Sequence, residues 1–383
     1  MNTKDYIALE NEYGAHNYNP LDVVIKEAKG VWVTDVDNNK YMDCLAAYSA
    51  VNQGHCHPAI YETMVEQAKH VTLTSRAFRN AQLPLLYKKL HEMTGYDMSL
   101  PMNSGAEAVE TSVKLARRWA YDVKGVEKDS AEVIVATGNF HGRTTTIVGF
   151  SSDPTSYHGY GPCCTEAFPM VEYGNINDLK IKINKNTAAV LIEPIQGEGG
   201  VVFPPDGYLK EVEKVCRDNN VLLITDEIQS GLGRSGKLFA HEWEGVRPDM
   251  VIIGKALSAG YYPVSAVLAD KDVMLTIKPG EHGSTFGGNP LGAAVAIKAL
   301  EVIEEENLIE RSRELGEYLM EGLSNIDSDH VVQIRGRGLW VGLVLDTHAR
   351  PFTEALMKEG ILCKETHVNI IRIAPPLVIT KEE

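Results

Sequence analysis

What this sequence lacks narrows its task before any motif is read. Its six cysteines, Cys44, Cys56, Cys163, Cys164, Cys216 and Cys363, form no CxxC pair, and the adjacent Cys163 and Cys164 do not have the spacing of zinc ligands. A reducing, cytoplasmic compartment is therefore expected, with Cys163 and Cys164 as inert loop residues. No apolar run approaches the ~20 residues that span a bilayer, so no membrane segment is expected. The stretch "MNTKDYIALENEYGAHNYNP" has neither an apolar signal core nor an Arg-rich, acid-poor transit pattern; a processed organellar form would look the same. Basic residues are too few for a nucleic-acid or anionic-membrane surface. Lys and Arg number 37 against 52 Asp and Glu, a net charge of -15, so phosphate backbones would be repelled. Local basic pockets for small anions remain allowed.

What is present is the material of an ordinary globular protein. At 383 residues, 44% of them hydrophobic and 23% charged, the chain exceeds one minimal domain and can bury a sizeable core. From about residue 130, short apolar runs alternate with amphipathic ones: "EVIVATG", "AAVLIEP", "NVLLITDE", "DMVIIGKA" and "VSAVLAD". Between two of them, "DGYLKEVEKVCRDNN" puts Leu209, Val212, Val215 and Cys216 on one helical face. Val/Ile/Leu runs alternating with helices predict an α/β fold with a largely parallel sheet covered on both sides. The last two runs are joined by a short loop and break that alternation. Earlier, "NSGAEAVETSVKLARRWA" reads as a helix opened by a Ser104–Glu107 capping box. After residue 290 one long helical stretch is expected, then strands of a smaller C-terminal domain in "VVQIRGRGLWVGLVL" and "ILCKETHVNIIRIAPPLVI".

Two glycine- or histidine-bearing motifs fail on chemistry. "GLGRSGK" fits both a P-loop and a dinucleotide turn, but Leu238 stands where a P-loop needs Ser or Thr. Asp226 and Glu227 precede it where a pyrophosphate would be repelled. In "GHCHP", His55 and His57 have no further ligands at metal-like spacing, and no metal site is expected.

A sharper signal comes from strand ends. Ligands of open parallel sheets sit beyond the carboxyl ends of the strands. Glu193 follows "AAVLI", Asp226 follows "NVLLIT" and Lys255 follows "DMVIIG". A lysine held there is partly desolvated, which disfavours its ammonium and frees the amine to condense with a carbonyl. An aspartate beside it suits the protonated ring nitrogen of pyridoxal phosphate, and the helix opening at Ser104-Gly105-Ala106 offers N–H groups to a phosphate.

The same residues resemble a known family. "DEIQSGLGR", "GKALSAGYYPVSAVLAD" and "HGSTFGGNPL" are similar to the class III (fold type I) pyridoxal-phosphate aminotransferases, from about residue 10 to the last residues. "YGAHNYNPL", "AAYSAVNQGHCHP", "TLTSRAF", "DPTSYHGYGP", "EPIQGEGGVV" and "IRIAPPLVI" resemble the ornithine-acting branch of that family. The resemblance implies an N-terminal segment (1–48), a large cofactor-binding domain (49–305) with a mostly parallel sheet between helices, and a small α+β C-terminal domain (306–383). It implies that Lys255 holds the cofactor covalently and moves the proton, and that Asp226 pairs with the ring nitrogen. Gln229 would meet the ring hydroxyl, Phe140 would stack on the ring, and Gly105 and Ala106 would cradle the phosphate. Ser284 and Thr285 would reach the phosphate of a neighbouring subunit, which implies a homodimer with shared sites. For substrates the resemblance implies ornithine and 2-oxoglutarate. Arg143 would grip a carboxylate, Tyr18 and Tyr48 would orient the δ-amine, and Arg372 would hold the α-carboxylate of the keto acid when Glu198 releases it. N-acetylornithine and 4-aminobutyrate are the rival amines. Two departures stand out. His141 occupies a position often held by tryptophan. Family members also continue past "PPLVI" into another helix, whereas this chain stops at "TKEE"; either the C-terminal domain is truncated or a tail lies beyond this sequence.

Overall fold

The computed structural model describes residues 1–163 and 165–383. Cys164 lies outside the described residues, and Cys163 is a half-buried free thiol.

The chain begins with a small sheet. Strands β1 (Ile25–Lys29), β2 (Trp32–Asp35) and β3 (Lys40–Asp43) form an antiparallel meander, and a short strand from the far end of the chain adds to it. The central sheet follows: β4 (Met98–Met102), β5 (Glu132–Ala136), β6 (Met170–Val171), β7 (Thr187–Ile192), β8 (Leu222–Asp226), β9 (Met250–Ile253) and β10 (Ser265–Ala269). Their spatial order is β4-β10-β9-β8-β7-β5-β6. Strands β6, β5, β7, β8 and β9 pair in parallel, and β10 runs antiparallel between β9 and β4. All five apolar runs become strands of this sheet, and the short loop before β10 produces the one reversal.

Both faces of the sheet are covered, as near-continuous apolar strands require. Along β9, Val251 and Ile253 join one core while Met250 and Ile252 join the other, the alternation a pleated strand imposes. Helix α1 (Gly105–Trp119) lies on the second face with Val109, Val113 and Ala116 buried, and its capping box is formed as the sequence predicts. Helix α2 (Tyr208–Asp218) buries Leu209, Val212, Val215 and Cys216.

The stretch after residue 290 is not one helix. It divides into α3 (Pro290–Glu305) and α4 (Leu308–Ser324) at Asn307, whose φ of 52° is left-handed. Asparagine tolerates that conformation better than most residues, and helical periodicity carries no signal of it. The C-terminal part holds β11 (Val331–Gly336), β12 (Val341–Leu345), β13 (Ile361–Leu362), β14 (Lys364–Thr366) and β15 (Ile370–Ile373). A separate sheet orders them β11-β12-β15-β14, whereas β13 pairs in parallel with β3. The N-terminal meander is thereby tied to the C-terminal strands.

The glycine-bearing "GLGRSGK" loop is a structural clamp. Arg234 is fully buried, and Nη1 donates to the carbonyls of Leu339 and Pro375, both at 2.7 Å. Its Nη2 donates to Asn52 Oδ1 at 2.5 Å. His55 and His57 likewise have structural partners: Asp43 at 2.7 Å and Glu306 at 2.8 Å. Among the described residues no group of three His, Cys, Asp or Glu could hold a metal ion, and no helix is long and apolar enough to cross a membrane.

Candidate active site

Adjacent parallel strands β7, β8 and β9 bring Glu193, Asp226 and Lys255 to the rim of one cavity of about 190 Å³. Gly105, Ala106, Phe140, His141 and Gln229 line the same cavity. Lys255 opens the turn after β9 with a φ of 42°, a conformation that costs a non-glycine residue energy and persists only where its surroundings enforce it. Burial holds the Lys255 amine below its ordinary pKa; Glu198 and Asp226 oppose that shift without reversing it.

Asp226 is fixed from two sides. Oδ1 accepts the Ile228 N–H at 3.0 Å, and Oδ2 lies 2.7 Å from His141 Nδ1. Burial disfavours a charge on His141, but the hydrogen bond and charge of Asp226 outweigh it and raise the imidazole above its usual range. Glu227, next in sequence, points to the other side of the strand and accepts from the His241 N–H at 2.9 Å. Glu193 accepts N–H groups from Phe140 at 3.0 Å and Gly197 at 3.2 Å, so it braces the loop that carries Phe140. Burial pushes its carboxyl up to about 7; His141 works against the shift and Asp226 adds to it.

The start of α1 is shaped for a compact anion. Ser104 Oγ accepts the Glu107 N–H at 3.2 Å, and Glu107 Oε2 accepts the N–H groups of Ser104 at 2.6 Å and Asn103 at 3.1 Å. That box leaves over the first two helical N–H groups, those of Gly105 and Ala106. A Cβ on Gly105 would sit 2.9 Å from Ile228 Cδ1, so no larger residue fits without displacing the floor of the cavity. On the other side Gly197 passes so close to Gln229 that a Cβ there would lie 1.9 Å from Gln229 Oε1.

A second polar group adjoins the cavity. Arg372, on β15, is 3% exposed and pairs with Glu198 Oε1 at 2.6 Å. Burial works against the Glu198 carboxylate, but Arg372, then Lys255 and His367, hold it below its usual range. Tyr48 lays its ring 5.0 Å from the Arg372 guanidinium. Tyr48 sits in a run of four left-handed residues, Ala46 to Ser49, each with φ between 47° and 70°. Such a turn costs roughly 1–2 kcal/mol per residue, and Asp43 Oδ1 supports it by accepting the N–H groups of Leu45 and Ala46 at 2.8 and 3.0 Å.

Other sequence-selected residues lie further out. Arg143 is exposed, with its guanidinium 5.3 Å from the Phe140 ring centroid. Tyr18 is 79% exposed and near enough to Tyr48 to affect its phenol electrostatically. Ser284 and Thr285 do not line this chain's cavity; Ser284 Oγ accepts from Asn103 Nδ2 at 2.9 Å, and Thr285 is exposed. No local pattern in the sequence marks His141 as functional, because its partner is 85 residues away. Its only signal was an imidazole where an indole is common.

A buried amine with a lowered pKa, a buried carboxylate, a facing aromatic ring and an anion-shaped helix start are the donor set of a pyridoxal-phosphate transferase. A family model, "Aminotransferase class-III", matches residues 13–383, and the chain belongs to that family. Among curated relatives, an ornithine aminotransferase of Exiguobacterium sp. is 58% identical over 381 residues, 100% of this chain and 95% of the relative. Among solved structures, the ornithine aminotransferase of Toxoplasma gondii ME49 superposes with a TM-score of 0.98 at 43% identity, covering 100% of this chain and 92% of that one. An acetylornithine aminotransferase from Elizabethkingia anophelis has a TM-score of 0.91 and 46% identity over 100% of this chain and 96% of its own.

Proposed function

We propose that this protein transfers the δ-amino group of L-ornithine to 2-oxoglutarate, giving glutamate and glutamate 5-semialdehyde, which cyclises to pyrroline-5-carboxylate. The observation that carries the reading is the Glu198–Arg372 pair beside the Lys255 cavity, at 2.6 Å. Pyridoxal phosphate, when bound, supplies an aldehyde that condenses with amines and a ring that accepts electrons. The residues present fit it: Gly105 and Ala106 for its phosphate, Phe140 against its ring, Asp226 at its ring nitrogen and Gln229 at its hydroxyl.

Each side chain then has a defined task. Lys255 Nζ, whose ammonium is disfavoured by burial, would hold the cofactor covalently through its aldehyde carbon and would then carry a proton to and from the substrate carbon. Asp226, kept in place by His141 and Ile228, holds a proton on the ring nitrogen. Arg143 offers a planar fork to a carboxylate, and Tyr18 and Tyr48 align the chain of ornithine so that its δ-amine reaches Lys255. With Glu198 closed on Arg372, the arginine is neutralised and an amine without a neighbouring carboxylate can enter. With Glu198 swung away, the same arginine binds the α-carboxylate of the keto acid.

This arrangement sets one prediction. Glu198→Gln leaves the Arg372 charge buried and uncompensated, a defect that typically costs several kcal/mol. The KM for 2-oxoglutarate is expected to fall, and kcat/KM for ornithine to drop about tenfold or more; separate half-reaction kinetics read both.

Ser284 and Thr285, which do not line their own chain's cavity, are assigned to the phosphate of a second subunit in a homodimer. The free thiols of Cys44, Cys216 and Cys363 agree with a reducing cytoplasmic setting. The acetylornithine relative makes N-acetylornithine the second reading. Measuring kcat/KM for ornithine, N-acetylornithine and 4-aminobutyrate distinguishes them: ornithine is expected to lead, and a clear preference for N-acetylornithine would overturn the assignment.

A further inference from the structure

The helix that turns its N-terminus to the cavity also grips the segment carrying Ser284 and Thr285. Positions 107, 111, 114 and 118 share one face of α1. Just before the helix, Asn103 Nδ2 donates to Ser284 Oγ at 2.9 Å and to Glu107 Oε1 at 3.1 Å. Further along, Thr111 Oγ1 meets His282 Nε2 at 3.0 Å, and Lys114 Nζ meets His282 Nδ1 at 2.8 Å. Arg118 pairs with Glu281 at 3.2 Å. Glu281, His282 and Ser284 are thus fastened along a line on the helix and the residue just before it. The Gly287 N–H closes the turn by donating to Ser284 Oγ at 3.0 Å.

His282 is the one member that bonds the helix through both ends of its side chain. An ammonium only donates, so Nδ1 accepts from Lys114 and Nε2 carries the ring's single proton. That N–H donates to Thr111 Oγ1, whose own proton goes to the Glu107 carbonyl at 2.7 Å. Burial and then the Lys114 charge hold His282 below its ordinary pKa. The charged groups around it are Lys114 and Arg118 from the helix and Glu281 from its own segment, the last engaged by Arg118 and by the Lys278 N–H. Both bonds are present above the unperturbed value of about 6.5. The Lys114 bond is lost as the pH falls through the lowered value, because a protonated ring cannot accept from an ammonium, while the Nε2–H bond to Thr111 stays.

We propose that His282 is a positioning residue: bridged between Thr111 and Lys114, it fixes the Ser284–Thr285 turn where Thr285 serves the cofactor phosphate of the neighbouring subunit. This rests on the Thr285 assignment made above.

The test is retention of pyridoxal phosphate by the holoenzyme during gel filtration, from about pH 8 to about pH 5.5 on either side of the histidine range. The variants are His282→Ala, His282→Gln and Thr285→Ala. His282→Ala is expected to lose cofactor about tenfold faster than the wild type at pH 8, the scale of one or two lost hydrogen bonds, with the gap narrowing toward pH 5.5 as the wild-type ring protonates. Glutamine can accept from Lys114 and donate to Thr111 without titrating, so His282→Gln is expected to retain cofactor and flatten the acid limb of the wild-type profile. Wild-type retention in His282→Ala, or an unaltered acid limb in His282→Gln, would overturn the proposal. Cofactor loss in Thr285→Ala without loss in His282→Ala leaves the Thr285 assignment standing and removes His282 alone. Full retention in Thr285→Ala removes both.

Discussion

Lys255→Ala is expected to bind pyridoxal phosphate without a covalent bond and to lose turnover by roughly four orders of magnitude or more, the scale seen when nucleophile and proton carrier are one group. Lys255 follows a strand that is buried on both faces, opens the next turn with a left-handed φ of 42° and lines the cavity. Its ammonium is disfavoured there by burial, which lowers the pKa of the amine below that of a surface lysine. An added small amine restores proton transfer but not attachment. Borohydride treatment followed by peptide mapping should therefore label Lys255 in the wild type and no residue in the variant, while substantial turnover by Lys255→Ala would exclude it as nucleophile.

Asp226→Asn carries the next largest effect. The carboxylate oxygens accept from Ile228 N–H and face His141 Nδ1, so an amide of the same shape retains part of the packing. It lacks the charge proposed to hold a proton at the cofactor's ring nitrogen, and one of its two terminal atoms becomes a donor facing a donor. Turnover is expected to fall by about 10²–10⁴-fold, the range of a lost electrostatic or proton-holding contact, with covalent attachment through Lys255 preserved. Stopped-flow half-reactions check this. A variant that still deprotonates substrate at the wild-type rate would place the carboxylate outside the chemistry.

Part of this site is legible in the sequence because a parallel sheet converts sequence order into spatial order. Once "AAVLI", "NVLLIT" and "DMVIIG" are neighbouring parallel strands, Glu193, Asp226 and Lys255 must meet at one rim. The capping box at Ser104 is equally legible, since its partners are three residues apart. Periodicity does not reach further. The left-handed run at Ala46–Ser49 contains no glycine or asparagine, so nothing in its composition announces a conformation that tertiary contacts impose. Strand β4 holds Pro101, which argues against a strand unless it lies at an edge, as it does. The β3–β13 pairing and the His141–Asp226 contact join distant segments, and no local pattern encodes them. The roles of Arg372 and Tyr18 came from family resemblance; a strand-end arginine and an exposed loop tyrosine carry no signal of their own.

The most direct test of the proposed activity is product identity. Purified protein supplied with pyridoxal phosphate, L-ornithine and 2-oxoglutarate should form pyrroline-5-carboxylate and glutamate in equal amounts, with no pyrroline-5-carboxylate when 2-oxoglutarate is omitted beyond a single turnover. Removal of the α-amine instead, or no transfer from ornithine while N-acetylornithine reacts, would contradict the account.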